Sequence, residues 1–275
     1  MAFGFFRLLP VDAASAIGGW ILQTLGPLAR VDAVAHRNIE AALPGLGTDG
    51  RRAVCRGMWN NMGRVIGEYA HLRRIAEAPA RVEVVDPDNL YARAVSAGKG
   101  ALVLSAHFGG WELFSLPARR AGGKQFDIYR AANNPLVDSL LKRARLQMAR
   151  GGLIAKGPGS MRETVARLRK GDCVGMVVDQ KTNEGIPVAF FGRDAMTTRT
   201  PAALAHRFGC PIFVALVERT RGARFRIVVH AVEVVRSGDR GRDIAQTTQA
   251  INALIESAIR AKPEQWMWVH RRWPD

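Results

Sequence analysis

Over the first eighty residues the apolar positions recur at helical spacing. Asn38–Leu43 reads as a short helical stretch closed by Pro44-Gly45, and Val54, Met58, Met62, Val65, Ile66 and Tyr69 mark one face of a long helix. Beyond residue 80 the period changes. Short apolar, β-branched runs at 82–85, 101–105, 126–129, 174–178, 188–191, 212–217 and 225–229 read as strands. Amphipathic stretches at about 87–97, 110–121, 135–150, 160–170, 200–208 and 240–261 fit helices between and after them. Strands alternating with helices predict an α/β fold: a mostly parallel or mixed sheet covered by helices on both faces, with a helical N-terminal extension. Neither a repeat nor a linker interrupts the pattern, so residues 31–275 read as a single domain behind an apolar segment at 1–30.

The 275 residues are 48% apolar and 23% charged, which excludes a disordered or low-complexity chain. Cys55, Cys173 and Cys210 are widely spaced and odd in number, so neither a disulfide framework nor a cysteine-type zinc site is expected, and a reducing compartment fits best. Charge narrows the choice of partner. The net charge is +16, and residues 119–170 hold 13 Lys/Arg against three acids, a net of +10 in one fifth of the chain. Nucleic acid, an acidic protein, a phosphorylated small molecule and a membrane surface all suit such a balance. No helix-turn-helix, zinc finger or stacking motif supports a specific nucleic-acid partner. A basic nucleic-acid-binding protein and a catalytically silent membrane scaffold are the non-enzyme alternatives.

Ala13 to Ala29 form seventeen residues without charge, short of the roughly 20 needed to cross a bilayer, and Gln23, Gly26 and Pro27 weaken the run. Arg7 alone precedes it, with no strong small-residue cleavage site, so a cleaved signal peptide is not expected. The segment reads as an uncleaved anchor or an interfacial helix. Phe3, Phe5, Phe6 and Trp20 would then lie at headgroup level with the basic body drawn to an anionic leaflet; a buried first helix is the alternative.

The sharpest chemical feature is Ser105-Ala106-His107-Phe108-Gly109-Gly110-Trp111-Glu112, directly after an apolar strand. A strand ending there delivers His107 to the carboxyl edge of the sheet, and the glycine pair gives room for a ligand. Glu112, folded back onto one imidazole nitrogen, would fix the tautomer and leave the other nitrogen to take a proton from a hydroxyl. No G-x-S-x-G turn is present, so the residues favour direct attack by a substrate alcohol over an acyl-enzyme. No metal-ligand spacing accompanies His107, and no cofactor is expected.

HFGGWE resembles the HxxxxE/D signature of the lysophospholipid acyltransferase superfamily, and its flanks resemble the bacterial lipid A biosynthesis acyltransferases, the lauroyl and myristoyl transferases. The similar blocks are HRNIEAALPGL at 36–46, DIYRAANNPLVD at 127–138, the stretch from VVDQ through FFG and TTRT at 177–214, and KPEQWMWVHRRW at 262–273. The resemblance implies transfer of an acyl chain from acyl carrier protein or coenzyme A to a hydroxyl of an anionic glycolipid, most simply a lipid A precursor, at the cytoplasmic face of the inner membrane. It makes His107 the general base with Glu112 as its partner, and gives Arg130 the thioester oxyanion or a donor phosphate. Asp179 becomes a site neighbour or, on a bland reading, a turn cap. Asn133 and Asn134 build the turn before Pro135 or meet substrate; Thr197, Thr198 and Arg199 cap a helix or face headgroup phosphate. Phosphatidylinositol mannoside acyltransferases look similar, and a (lyso)phospholipid acceptor is the alternative. The tryptophans at 266, 268 and 273 form either an amphipathic closing segment or buried aromatics sealing the sheet edge.

Overall fold

A computed structural model describes residues 2–273. Five helices come first: α1 (Ala2–Leu8), α2 (Val11–Leu25), α3 (Asp32–Ala42), α4 (Thr48–Glu68) and α5 (Leu72–Glu77). The predicted face of α4 is buried at Val54, Met58 and Val65, whereas Ile66 turns outward and is exposed. Glycines decide the α2–α4 crossing: a Cβ on Gly63 would stand 2.1 Å from the Gly18 carbonyl oxygen, so the two backbones approach as only glycine permits. Ser15 donates to the buried Glu68 carboxylate across this contact at 2.7 Å. The opposite side of the N-terminal helices leaves Phe5, Leu8, Trp20, Leu25, Leu28 and Val31 exposed. No helix among the described residues is long and apolar enough to cross a membrane.

The strands are β1 (Val82–Val85), β2 (Ala101–Ser105), β3 (Gln125–Tyr129), β4 (Gly152–Ala155), β5 (Cys173–Val177), β6 (Ile186–Phe190), β7 (Arg193–Thr197), β8 (Ile212–Arg221) and β9 (Arg224–Val232). Seven of them form one sheet in the order β1-β9-β8-β2-β5-β3-β4, parallel throughout except for the β8–β9 hairpin. β6 and β7 make a separate antiparallel hairpin, so the run near 188–191 is not part of the main sheet. β4 and β7 were not predicted: the first is a four-residue edge strand opening on glycine, and the second, Arg-Asp-Ala-Met-Thr, carries little β-branched signal.

Helices α6 (Leu90–Ser96), α7 (Leu116–Arg120), α8 (Pro135–Leu146), α9 (Ser160–Arg169), α10 (Thr200–Phe208) and α11 (Arg240–Ala261) cover the sheet. The central strand β2 is buried at all five residues and alternates between two cores. Leu102 and Leu104 pack toward Ile251, Ile255 and Ile259 of α11, while Ala101 and Val103 join Leu72, Tyr91 and Leu116 on the other face. A strand with both faces covered has no polar side to offer, hence the unbroken apolar run in its sequence.

Candidate active site

Two neighbouring parallel strands place the chemistry. β2 and β5 pair with Ser105 opposite Val177, and Val178 N–H continues the ladder to the Ser105 carbonyl at 3.0 Å. Two residues further along each chain stand His107 and Asp179, so the register itself sets them side by side at the carboxyl edge of the sheet. Asp179 accepts His107 Nδ1–H through Oδ1 at 2.8 Å, and the His107 backbone N–H through Oδ2 at 2.9 Å. A third donor, Trp266 Nε1–H, reaches the same Oδ2 at 2.7 Å. The carboxylate has no accessible surface, while 22% of the imidazole side chain remains open. Nδ1 is therefore committed to Asp179, and Nε2, bonded by no described residue, is the nitrogen that can accept a proton.

The Asp179 carboxylate also shifts the protonation of the imidazole. Burial pulls the His107 pKa down, but the Asp179 charge, its hydrogen bond and the nearby Glu112 outweigh it and leave the imidazole above its ordinary 6.5. Burial alone would raise Asp179; the imidazole of His107 and the other donors hold it below the usual carboxylate range.

Glu112 does not bond the imidazole, contrary to the expected dyad. Residues Trp111–Leu113 wind into a 3₁₀ turn, and the carboxylate is captured by other donors. Arg145 near the end of α8 grips it bidentately at 2.8 and 2.7 Å, Trp111 Nε1 donates at 3.0 Å, and the Tyr69 hydroxyl makes a further short bond. Against the burial penalty, the guanidinium and the two ring donors keep Glu112 ionised, and Glu112 in turn raises Arg145. The Trp111 ring meets the His107 ring edge-on at 5.6 Å, so Glu112 supports the wall of the site rather than the proton-accepting group.

The glycine pair opens no space for a ligand. Gly109 has φ +56°, and a Cβ there would lie 1.9 Å from the Val217 carbonyl oxygen; a Cβ on Gly110 would strike the Phe225 ring at 2.4 Å. Both are needed for the loop to lie on β8 and β9. The loop is also paired with the C-terminal segment: Gly109 N–H bonds Gln265 O at 2.9 Å and Met267 N–H bonds His107 O at 3.1 Å. Asn38 of α3 anchors this segment through the Trp268 and His270 carbonyls, both at 2.7 Å. Trp266, Trp268 and Trp273 are buried, so they seal the sheet edge and do not form an exposed amphipathic face.

The other candidates separate. Arg130 follows β3 at the same edge, exposed and without an ion pair or hydrogen bond among the described residues. Asn134 caps α8, its Oδ1 accepting from Leu136 N and Val137 N, while Asn133 is exposed beside it. Thr197 is a buried structural group that accepts from Arg272 at 2.7 Å and Asn252 at 3.2 Å. Thr198 Oγ1 accepts from Thr200 N at 3.3 Å at the start of α10, and Arg199 is exposed at its N-cap. Sequence reasoning missed Arg145 and Tyr69. The one lies in a basic run with many look-alikes and the other at a helix end, and only the tertiary fold brings them to Glu112. Asp32, His36 and Cys55 also converge, with ligand atoms within 4.8 Å. Burial and the bond to Asp32 push that thiol up to about 12, so the trio is a hydrogen-bonded joint between α3 and α4.

Comparison with known proteins supplies the family. The model of the bacterial lipid A biosynthesis acyltransferases matches residues 2–275. The chain is 28% identical over 252 residues to the lipid A biosynthesis lauroyltransferase of Escherichia coli K12, covering 87% of this chain and 78% of that protein. It is 24% identical over 258 residues to the lipid A biosynthesis palmitoleoyltransferase of the same organism, covering 89% and 79%. The lipid A biosynthesis acyltransferase of Shigella flexneri matches to the same extent. With that match running the whole length, through the strand ends that carry His107 and Asp179, the chain belongs to the bacterial lipid A biosynthesis acyltransferase family and is an acyltransferase.

Proposed function

We propose that this protein moves a fatty acyl chain from the thioester of acyl carrier protein or coenzyme A to a hydroxyl of a lipid A precursor, at the cytoplasmic face of the inner membrane. The observation that carries the reading is the His107–Asp179 pair, an imidazole held in one tautomer with Nε2 accessible at a sheet edge. His107 Nε2 takes the acceptor hydroxyl proton as its oxygen bonds to the thioester carbonyl carbon. The tetrahedral intermediate then collapses, the C–S bond breaks, and the imidazolium returns the proton to the leaving thiolate, giving an ester and a free thiol. Asp179 offsets the imidazolium charge during the cycle. Arg130 supplies an unpaired guanidinium for a donor phosphate or the developing oxyanion. The +10 stretch steers an acidic carrier protein or an anionic lipid surface toward the site. Trp20, Leu25 and Leu28, exposed on the N-terminal helices, support docking in the membrane interface.

The test is acyl transfer by purified protein and its His107→Ala variant, from labelled acyl carrier protein and acyl-coenzyme A, to a lipid A precursor and a phosphatidylinositol mannoside in parallel. Transfer to the precursor that falls about 10²- to 10⁴-fold in the variant is expected. Transfer to the mannoside alone overturns the acceptor, and equal rates in wild type and variant overturn the mechanism.

A further inference from the structure

A cavity of about 490 Å³ opens between α4 and the turn Pro263–Gln265. Into it α4 presents Arg56, Asn60 and Arg64, four residues apart on one helical face. Arg64 is half-buried, and its hydrogen-bond partners are neutral: Nε donates to Asn60 Oδ1 at 2.7 Å and Nη1 to Ser15 Oγ at 3.2 Å. Glu68, at the end of the same helix, is held bidentately by the guanidinium of Arg219. Burial and repulsion from Arg219 weigh against the charge on Arg64 and outweigh the attraction of Glu68 and Asp12. Arg56 is exposed and makes no ion pair among the described residues. Glu264 is the remaining carboxylate of the lining, so with Arg219 already neutralised two guanidinium groups face one acid. A half-buried guanidinium with no direct ion pair among the described residues, and with its charge only partly offset, is costly, and a ligand anion lowers that cost.

The position of the cavity suggests which anion. Its lining includes Gln23, on the helix that exposes Trp20 and Leu25. Its inner wall includes Asn61, whose amide donates to the Gly109 carbonyl at 3.1 Å and the Gln265 carbonyl at 3.2 Å. Gly109 lies two residues from His107, and Gln265 directly precedes Trp266, the donor to Asp179. We infer that the cavity holds a phosphate of the glycolipid acceptor, gripped by Arg64 and Arg56, so that the headgroup is anchored between the lipid-facing helices and the loop carrying the base. Arginine suits this task because its planar fork matches phosphate oxygens. The inference rests on the proposed transfer to a glycolipid and adds the group by which that acceptor is recognised.

The test uses the full chain as wild type, Arg64→Gln, Arg64→Lys and Arg56→Gln, with a phosphorylated lipid A precursor and the same lipid after phosphatase treatment. Arg64→Gln is expected to raise the acceptor KM about tenfold or more for the phosphorylated lipid only, with the rise confined to the acceptor and the donor KM unmoved. Arg64→Lys retains part of the affinity. Arg56→Gln, on an exposed position where folding is not at stake, gives a several-fold rise of the same kind. An equal shift with the dephosphorylated lipid, or no shift with the phosphorylated one, overturns the inference. Flotation of the same proteins with phosphatidylcholine vesicles, carrying either lipid or phosphatidylglycerol, is read whether or not turnover is found. Loss of binding to phosphatidylglycerol with an unchanged acceptor KM makes the ligand a bulk headgroup and overturns the assignment to the acceptor. If wild type transfers no acyl chain, the proposed function fails by itself. The cavity is then judged by flotation: weaker binding of Arg64→Gln to the phosphorylated lipid alone sustains it, and equal binding of wild type and variant overturns it.

Discussion

Replacing Asp179 with Asn tests the site at the atom that organises it. The carboxylate accepts three hydrogen bonds, from His107 Nδ1, His107 N and Trp266 Nε1. An asparagine oxygen can keep the two bonds now made by Oδ2, since backbone and indole are obligatory donors. The amide nitrogen then replaces Oδ1 at 2.8 Å from Nδ1, and a donor meets a donor. The imidazole is relieved by shifting its proton to Nε2, and the accessible nitrogen can no longer accept one. Shape and volume barely change, so the fold persists while turnover falls by about 10²- to 10⁴-fold, the share of a general base. The pH dependence supplies a second, independent reading. A base works when neutral, so the rate rises with pH through the imidazole pKa; Asp179 holds that limb above 6.5 in the wild type, and its loss moves the limb to lower pH. Single-turnover acyl transfer across a pH series, with the melting temperature as a control for folding, measures both. An Asn variant that keeps more than about a third of the wild-type rate, or whose acid limb does not move, refutes the assignment of Asp179 as the positioning residue.

Three further outcomes are expected. Arg145→Met leaves the Glu112 carboxylate buried without its cation and destabilises the protein by about 3 kcal/mol in urea unfolding, whereas the double variant with Glu112→Gln recovers part of the loss; additive effects would deny the pairing. Asp127, buried against Ser115 and Gln125, has its pKa raised from 3.8 to about 6 by desolvation. The folded state therefore binds that proton more tightly, wild-type stability falls by about 3 kcal/mol as pH rises through the window between those values, and it levels off above it. Asp127→Asn removes this fall, which unfolding near pH 4 and near pH 7.5 detects; a parallel decline in the variant counts against it. Trp20→Glu combined with Leu28→Glu alters side chains that are 67% and 81% exposed, so the melting temperature holds while partition onto phosphatidylglycerol vesicles weakens. Unchanged partition transfers the membrane contact to the basic face.

Much of this protein is legible in its sequence because the relevant physics is local. Backbone periodicity and β-branched runs placed β2 and β5 within a residue, since a strand buried on both faces admits little except apolar side chains. The histidine was legible because it stands directly after such a strand, and the apolar N-terminus because a run without charge is visible at any tertiary arrangement. The two hairpin and edge strands β4 and β7 were not, because edge strands are short and carry polar residues.

The partner of the base was a tertiary decision. Sequence proximity favoured Glu112, five residues from His107, yet the strand register brings Asp179, seventy-two residues away, to the imidazole. Glu112 is diverted by Arg145 and Tyr69, which arrive from α8 and the end of α4, and a bidentate guanidinium holds a carboxylate more strongly than a neutral ring can. The glycine pair tells the same story: its composition signals close approach, and only the packing shows that the approaching group is the Val217 carbonyl and the Phe225 ring. Sequence by itself determined which groups are available and which elements carry them, because propensity and hydrophobic pattern act over a few residues. Tertiary structure decided which of those groups meet, because hydrogen bonds and ion pairs reach only a few ångströms and depend on strand order and register.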